Sequence, residues 1–292
     1  EAFRVRLRNM RVSIIAVDEA HCISQWGYDF RPSYLRIAEL REYQPDATIL
    51  ALTASATDIV ARDIMHHLGF QKPNIIRTSF ARPNLSYVVR NVDNKLEHVQ
   101  RILHSVEGSG IIYVRTREGC EQLCEQLRTE GESVSFYHAG LPSMERAMRQ
   151  DDWVTGKVRI IVATNAFGMG IDKADVRLVI HYEMPDSPEA YYQEAGRAGR
   201  DGHTAYAVLL YSPDDKRRLS RRISDNFPEK EFIRNVYERL GYYYQMAVGD
   251  GIGCRYDFDL GEFCHAYRLP IMQTESALRL LTAAGYIIYQ EE

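Results

Sequence analysis

The chain has 292 residues, a net charge of -4, 45% hydrophobic residues and 26% charged residues. This composition is typical of a globular protein with two domains, and no window has the roughly 18 uncharged apolar residues of a membrane helix. The five cysteines are scattered and odd in number, which disfavours a disulfide framework and favours a cytosolic protein with reduced thiols.

The net charge excludes a uniformly basic nucleic-acid-binding surface but allows local basic patches. One such patch is the segment DDKRRLSRRISD, in which Lys216 is followed by four arginines up to Arg222. This segment is predicted to be helical. Its basic face is either a solvated helix surface or a surface that contacts phosphate groups.

The first 85 residues contain two predicted strands, 12–17 and 47–54, with a helix predicted between them at 32–44. A second helix, DIVARDIMHHLGF, follows and ends at its glycine. Two strands and two helices cannot cover both faces of a parallel sheet. We therefore expect residues 1–85 to be the later part of a domain whose beginning lies outside this chain.

From residue 95 the predicted helices and strands alternate, after a segment at 77–94 that reads as an interdomain linker with Pro83. The predicted strands lie at 110–114, 133–138, 158–164, 176–182 and 205–211, and the predicted helices at 95–106, 117–130, 143–155 and from 188. This alternation predicts a complete parallel α/β domain at 86–212. After it come helices and a terminal strand, which suggest a truncated winged helix or a small helical packing domain.

Asp18 and Glu19 directly follow the first predicted strand, where a parallel sheet borders its ligand crevice. One carboxylate that holds Mg²⁺ through water and a second that directs a water molecule are what nucleotide hydrolysis needs. An isolated Asp-Glu pair is more often an exposed acidic turn. In the second domain, Arg197 and Arg200 share a helix face and could reach a γ-phosphate across a domain cleft.

Four motifs in this order resemble those of superfamily 2 helicases: DEAH at 18–21, TASAT at 53–57, ATNAFGMGID at 163–172 and QEAGRAGRDG at 193–202. The loop AHCISQWGYDFRPSY is similar to the aromatic-rich loop of the RecQ family of DNA helicases. The resemblance covers about residues 3–212. It implies a partial RecA-like domain at 1–85, a complete RecA-like domain at 86–212 and a winged-helix-like module at 213–292.

The resemblance also implies ATP and Mg²⁺ as cofactors and DNA, single-stranded and at duplex junctions, as the partner. Asp18 would hold Mg²⁺ through water, Glu19 would act as the general base and His21 would link the nucleotide and DNA sites. The implied nucleotide site further contains Gly168, Gly170, Asp172, Gln193, Arg197 and Arg200. The implied DNA contacts are Ser24, Gln25, Trp26, Phe30, Arg31 and Thr164, and the implied coupling residues are Thr53, Ser55 and Thr57.

Two departures from the family pattern stand out. No GxxxxGK[ST] phosphate loop is present, so we expect this chain alone neither to bind ATP tightly nor to unwind DNA. RecQ proteins commonly carry a four-cysteine zinc site, but only Cys254 and Cys264 occur in the corresponding region, and we expect no zinc site. Cys120 and Cys124 are one helical turn apart and are expected to lie in the core.

The implied function is ATP-driven 3′-to-5′ DNA unwinding in repair or recombination, in the cytoplasm or, in a eukaryote, the nucleus. One alternative is an RNA helicase or double-stranded DNA translocase with the same motor. The other is a non-enzymatic module for nucleic-acid binding or strand annealing. No membrane partner is expected, and the sequence indicates no particular protein partner.

Overall fold

A computed structural model describes residues 2–24, 31–79, 81–168, 171, 173–247, 250–251 and 253–290. The chain divides into two compact units, 1–211 and 212–292. The first unit contains two separate parallel sheets, which we call the small sheet and the large sheet. Among the described residues, no helix is both long and apolar enough to span a bilayer.

The small sheet pairs β1 (Ile14–Val17) with β2 (Thr48–Ala51). Helix α1 (Ala2–Arg8) precedes this sheet, and helix α3 (Asp58–His67) follows it. The connection between the two strands contains two 3₁₀ helices, Ala20–Ile23 and Pro32–Glu39, and the short helix α2 (Leu40–Tyr43). The predicted helix at 32–44 is therefore mostly 3₁₀. None of the residues in Pro32–Glu39 is fully buried, so packing does not enforce a regular α-helix there.

Helix α3 covers one face of the small sheet. Val60, Ile64 and Leu68 pack in one cluster with Val17 and Ile49 of the strands. The helix begins where the Thr57 side chain accepts a hydrogen bond from the Val60 amide. It ends before Gly69, whose φ of 66° is the left-handed conformation that glycine favours.

The large sheet has six strands in the order β3-β8-β7-β4-β6-β5, and every neighbouring pair is parallel. Its strands are β3 (Leu85–Asn91), β4 (Ser109–Tyr113), β5 (Val134–Tyr137), β6 (Ile160–Ala163), β7 (Val176–His181) and β8 (Ala205–Tyr211). Its helices are α4 (Lys95–Ser105), α5 (Arg117–Thr129), α6 (Ser143–Val154) and α7 (Pro188–Ala195). The predicted alternation and the α/β fold class are confirmed.

The linker predicted at 77–94 is wrong in part, because it contains strand β3. This strand pairs with β8 from Leu85 opposite Ala205 to Asn91 opposite Tyr211. Only its first residue is buried, since β3 lies at the edge of the sheet, so its sequence lacks the apolar pattern of a central strand.

Both faces of the large sheet are covered. One core cluster contains Ile112 and the other contains its neighbour Ile111, and both side chains are fully buried. Cys120 and Cys124 lie in the first of these clusters, which confirms the prediction that they are core residues.

The second unit contains α8 (Pro213–Asn226), α9 (Lys230–Tyr243), α10 (Leu260–Tyr267) and α11 (Ile271–Ala283). Val236, Phe263 and Leu278 are the centre of its core. The basic segment forms α8, as predicted. The predicted terminal strand is wrong for residues 286–290, which form no strand and have no strand partner in the described structure. A winged helix stays a prediction.

Candidate nucleotide and DNA site

A tight turn at the carboxyl edge of the small sheet carries the two acidic residues. The Leu52 amide donates to the Val17 carbonyl at 2.9 Å, so Asp18 and Glu19 come directly after the paired part of β1. Glu19 has φ 48° and ψ 43°, and its amide donates to Asp18 Oδ1 at 2.9 Å. A left-handed non-glycine residue costs about 1–2 kcal/mol, so the surrounding structure must hold this turn in place.

His21 connects this turn to the end of the neighbouring strand. Its buried ring places Nδ1 3.3 Å from Glu19 Oε2 and 3.1 Å from Thr53 Oγ1. Thr53 Oγ1 also accepts a hydrogen bond from the Ser55 amide at 3.3 Å. The structure therefore brings the predicted residues Glu19, His21, Thr53 and Ser55 together. Thr57, also predicted for coupling, serves as the cap of α3.

The acidic turn fits the coordination that Mg²⁺ prefers, one or two carboxylates completed by water and phosphate oxygens. The Asp18 side chain is exposed, and Glu19 lies beside it in the turn. Across the described residues, no three His, Cys, Asp or Glu side chains group together as a metal site. The expected lack of zinc stays a prediction.

The predicted DNA contacts of the first sheet lie only partly within the described residues, since Gln25, Trp26 and Phe30 fall outside them. Ser24 is fully buried, and its role as a DNA contact stays a prediction. The Arg31 amide donates to the Cys22 carbonyl at 2.8 Å, which places Arg31 next to the DEAH segment.

The loop after β6 supplies the next predicted residues. Thr164 is buried, and its carbonyl accepts a hydrogen bond from the Phe167 amide at 2.9 Å. The Gly168 carbonyl accepts from Arg197 Nη1 at 2.6 Å. A Cβ atom at Gly168 would overlap the Arg197 guanidinium, so a larger residue here would force that guanidinium to move. Gly170 and Asp172 lie outside the described residues.

Both predicted arginines lie just beyond α7 and contact this same loop. Arg200 Nη1 donates to the Ile171 carbonyl at 3.4 Å. The Arg197 Nε atom is buried and has no hydrogen-bond partner within the described residues. Gln193 lies half-buried on α7, which Ser187 caps through the Ala190 amide. The meeting of these arginines with Asp18 and Glu19 around a triphosphate stays a prediction.

Sequence reasoning missed a buried polar group beneath the arginines. The Tyr113 hydroxyl donates to the Phe167 carbonyl at 2.9 Å, and the Tyr113 ring stacks on His181. His181 Nε2 lies 2.9 Å from Glu194 Oε2 on α7. Burial raises the pKa of Tyr113, against a smaller lowering by the Arg197 guanidinium. In the sequence these residues look like ordinary strand and helix positions, and only the sheet order brings them together.

Arg82 was also missed, because it lies in the segment predicted to be a plain linker. Its guanidinium donates to the carbonyls of Gly196, at 3.0 Å, and Gly199. The chain entering the large sheet is thereby tied to glycines that directly precede the two arginines.

Comparisons with known proteins agree with this geometry. Residues 94–202 match the family model described as the helicase conserved C-terminal domain. The ATP-dependent DNA helicase RecQ of Pasteurella multocida is 46% identical over 210 residues, which are 72% of this chain and 33% of that protein. The protein of the same name from Bacillus subtilis is 41% identical over 244 residues, 81% of this chain and 41% of that protein.

A solved structure supports the fold. S. cerevisiae Dbp5 bound to RNA and ADP BeF3 matches with a TM-score of 0.58 and 23% identity, over 77% of this chain and 60% of that chain. At this identity the match shows a shared RecA-like α/β architecture. This chain spans about a third to two fifths of the two RecQ relatives. The motifs, the fold and these relatives place it in one family: the chain belongs to the RecQ family of superfamily 2 helicases.

Proposed function

We propose that the chain is part of an ATP-dependent DNA helicase that moves 3′-to-5′ along single-stranded DNA and unwinds duplexes in repair or recombination. The observation that carries the proposal is the place of two sets of charged groups, one after an element of each sheet. Asp18 and Glu19 lie at the carboxyl edge of the small sheet, and Arg197 and Arg200 lie beyond α7 of the large sheet. Relatives at 41% and 46% identity named as ATP-dependent DNA helicases support DNA as the partner.

The proposed reaction needs positive charge near the β- and γ-phosphates, which a Mg²⁺ ion held by Asp18 would supply. Asp18 holds the ion through water, and Glu19 orients the attacking water and accepts its proton. His21 keeps the Glu19 carboxylate in position. Arg197 and Arg200 donate charge-assisted hydrogen bonds to the γ-phosphate as negative charge develops, and Gln193 completes the site.

The proposed DNA site lies beside the nucleotide site. Trp26 and Phe30 stack on bases without regard to sequence, at about 1–3 kcal/mol per base, and Arg31 pairs with a phosphate. Ser55 supports a coupling role for the segment after β2, because its buried hydroxyl has no partner within the described residues and can gain one when nucleotide binds. His21 joins the two sites through Thr53.

The test uses the full-length protein with DNA duplexes that carry either a 3′ or a 5′ single-stranded tail. We expect ATP- and Mg²⁺-dependent unwinding of the 3′-tailed duplex, and its loss in Glu19→Gln. Glu42→Gln, which changes an exposed carboxylate of α2, is the matched control and should unwind normally. Faster unwinding of RNA duplexes than of DNA duplexes would overturn the choice of substrate.

We further propose that the 292-residue chain alone does not hydrolyse ATP, because its sequence contains no phosphate loop. Phosphate release with DNA, ATP and Mg²⁺ above that of Glu19→Gln would contradict this. For the chain alone, nucleic-acid binding without hydrolysis is a second candidate function, favoured by the exposed arginines of α8 such as Arg217 and Arg221. The affinity of the chain for DNA should then fall steeply as the salt concentration rises.

A further inference from the structure

The Tyr113 hydroxyl lies at the end of β4 and has no role in the proposed reaction. The residue is 3% exposed, so its hydroxyl must find a hydrogen-bond partner inside the protein. That partner is the Phe167 carbonyl, at 2.9 Å. Tyr113 therefore fixes the backbone of the loop that follows β6.

The next carbonyl along that loop accepts a hydrogen bond from a second side chain, that of Arg197. Gly168 accepts from Arg197 Nη1 at 2.6 Å, so two consecutive peptide groups are fixed by Tyr113 and Arg197. Burial raises the pKa of Tyr113, and the positive charge of the nearby Arg197 guanidinium lowers it by a smaller amount. Tyrosine, loop and arginine therefore form one connected group.

The Tyr113 ring is also linked, through His181 of β7, to helix α7, which ends two residues before Arg197. The ring stacks on His181 with 5.6 Å between ring centroids and 22° between planes. His181 Nε2 lies 2.9 Å from the Glu194 carboxylate, and the Glu194 carbonyl accepts from the Arg197 amide at 3.2 Å. Tyr113 is thus linked to both the backbone and the side chain of Arg197.

We propose that Tyr113 is a positioning residue for Arg197, because its hydroxyl fixes the loop whose Gly168 carbonyl holds the guanidinium. The inference rests on the proposed function, in which Arg197 contacts the γ-phosphate. Removing the hydroxyl leaves the Phe167 carbonyl unpaired and loosens the loop, while every group proposed to contact ATP remains.

Hydrogen exchange on the 292-residue chain tests the structural half of this proposal. Tyr113→Phe should speed exchange of the Phe167 and Ile171 amides about tenfold, since the loop loses one buried hydrogen bond. Tyr137→Phe is the matched control. The Tyr137 ring packs on the same Phe167 ring at 4.8 Å, but its hydroxyl makes no hydrogen bond within the described residues. Equal exchange in the two variants would overturn the proposal.

ATPase measurements on the full-length protein test the functional half. Tyr113→Phe should lower kcat about fivefold to tenfold with an unchanged KM for ATP, and Tyr137→Phe should match the wild type. In an Arg197→Lys background, Tyr113→Phe should cause no further loss. Losses that multiply would show that Tyr113 acts independently of Arg197, and the proposal would be wrong.

The two measurements separate the failure of this inference from the failure of the proposed function. If the full-length protein shows no ATPase activity, the proposed function fails, and the exchange experiment still decides whether Tyr113 holds the loop. If ATPase activity is normal in Tyr113→Phe, the positioning role is wrong while the helicase proposal stands. Thermal unfolding of both variants excludes a global loss of structure as the cause.

Discussion

The two sheets of the first unit differ in how their faces are covered. In the large sheet, Ile111 and Ile112 point to opposite faces of β4 and both are fully buried. In the small sheet, Ile49 is buried against α3, whereas Ile14 and Leu50 on the other face are 60% and 46% exposed. Parallel sheets are normally covered on both faces, so the small sheet has only half of the usual core.

This difference places the two halves of the candidate nucleotide site on scaffolds of unequal stability. Asp18 and Glu19 follow a strand of the half-covered sheet, and Arg197 follows a helix of the fully covered one. Because local unfolding free energies follow the local density of buried contacts, we expect the acidic turn to open more easily than the loop that holds Arg197.

The largest effect is expected at the centre of the large sheet. Trp153 is fully buried, donates from Nε1 to the Gly110 carbonyl at 3.1 Å and packs on Phe167. Trp153→Ala should lower the free energy of unfolding of this sheet by about 3–5 kcal/mol. In urea unfolding followed by hydrogen exchange, the amides of β1 should be unaffected. An equal loss in both sheets would show that they unfold as one unit.

A smaller effect should distinguish the two faces of the small sheet. Ile49 is 6% exposed and Ile14 is 60% exposed. Ile49→Ser should cost about 2–4 kcal/mol, because it removes buried apolar contacts and places a hydroxyl in the core. Ile14→Ser should change stability by no more than about 0.5 kcal/mol. Similar losses in urea unfolding would mean that both faces are covered in solution.

The smallest effect is a pH dependence of the large-sheet core. Burial raises the pKa of the Cys120 thiol from its ordinary 9.0 to about 12. The folded state holds this proton more tightly than the unfolded state. The protonated thiol therefore contributes fully to the free energy of unfolding below about pH 9, and this contribution is lost as the pH rises towards about 12. Between about pH 9 and pH 10, the wild type should lose roughly 1 kcal/mol more stability than Cys120→Ala. If the stability of the wild type and that of Cys120→Ala fell equally with pH, the pH dependence would not come from Cys120.

The sequence allowed the regular parts of the fold to be predicted because local signals coincide there with tertiary packing. Helices α5 and α7 begin at Thr116 and Ser187, whose side chains accept hydrogen bonds from their first turns, and α3 ends before Gly69. Strand β3 was not predicted, because only Leu85 of this edge strand is buried. Its pairing with β8 is a long-range contact that no local pattern reports.

The motif residues of the candidate site could be predicted from the sequence, but the residue that supports them could not. The motif residues His21 and Thr53 are within hydrogen-bonding distance, as are Gly168 and Arg197. The supporting role of Tyr113 could not be predicted, because it depends on the strand order that sets β4 beside β7 and beneath the loop after β6. A tyrosine at the end of an apolar strand otherwise indicates only core packing.

The central claim is that Glu19 and Arg197 act on the same phosphate. It is tested most directly by single-turnover phosphate release in the full-length protein, with Glu19→Gln, Arg197→Ala and the double variant. The account predicts that each single change lowers the rate about 10²- to 10³-fold, and that the double variant is about as slow as the slower single one, because groups that act as a unit do not contribute additively. A wild-type rate in Arg197→Ala, or losses that multiply in the double variant, would contradict it.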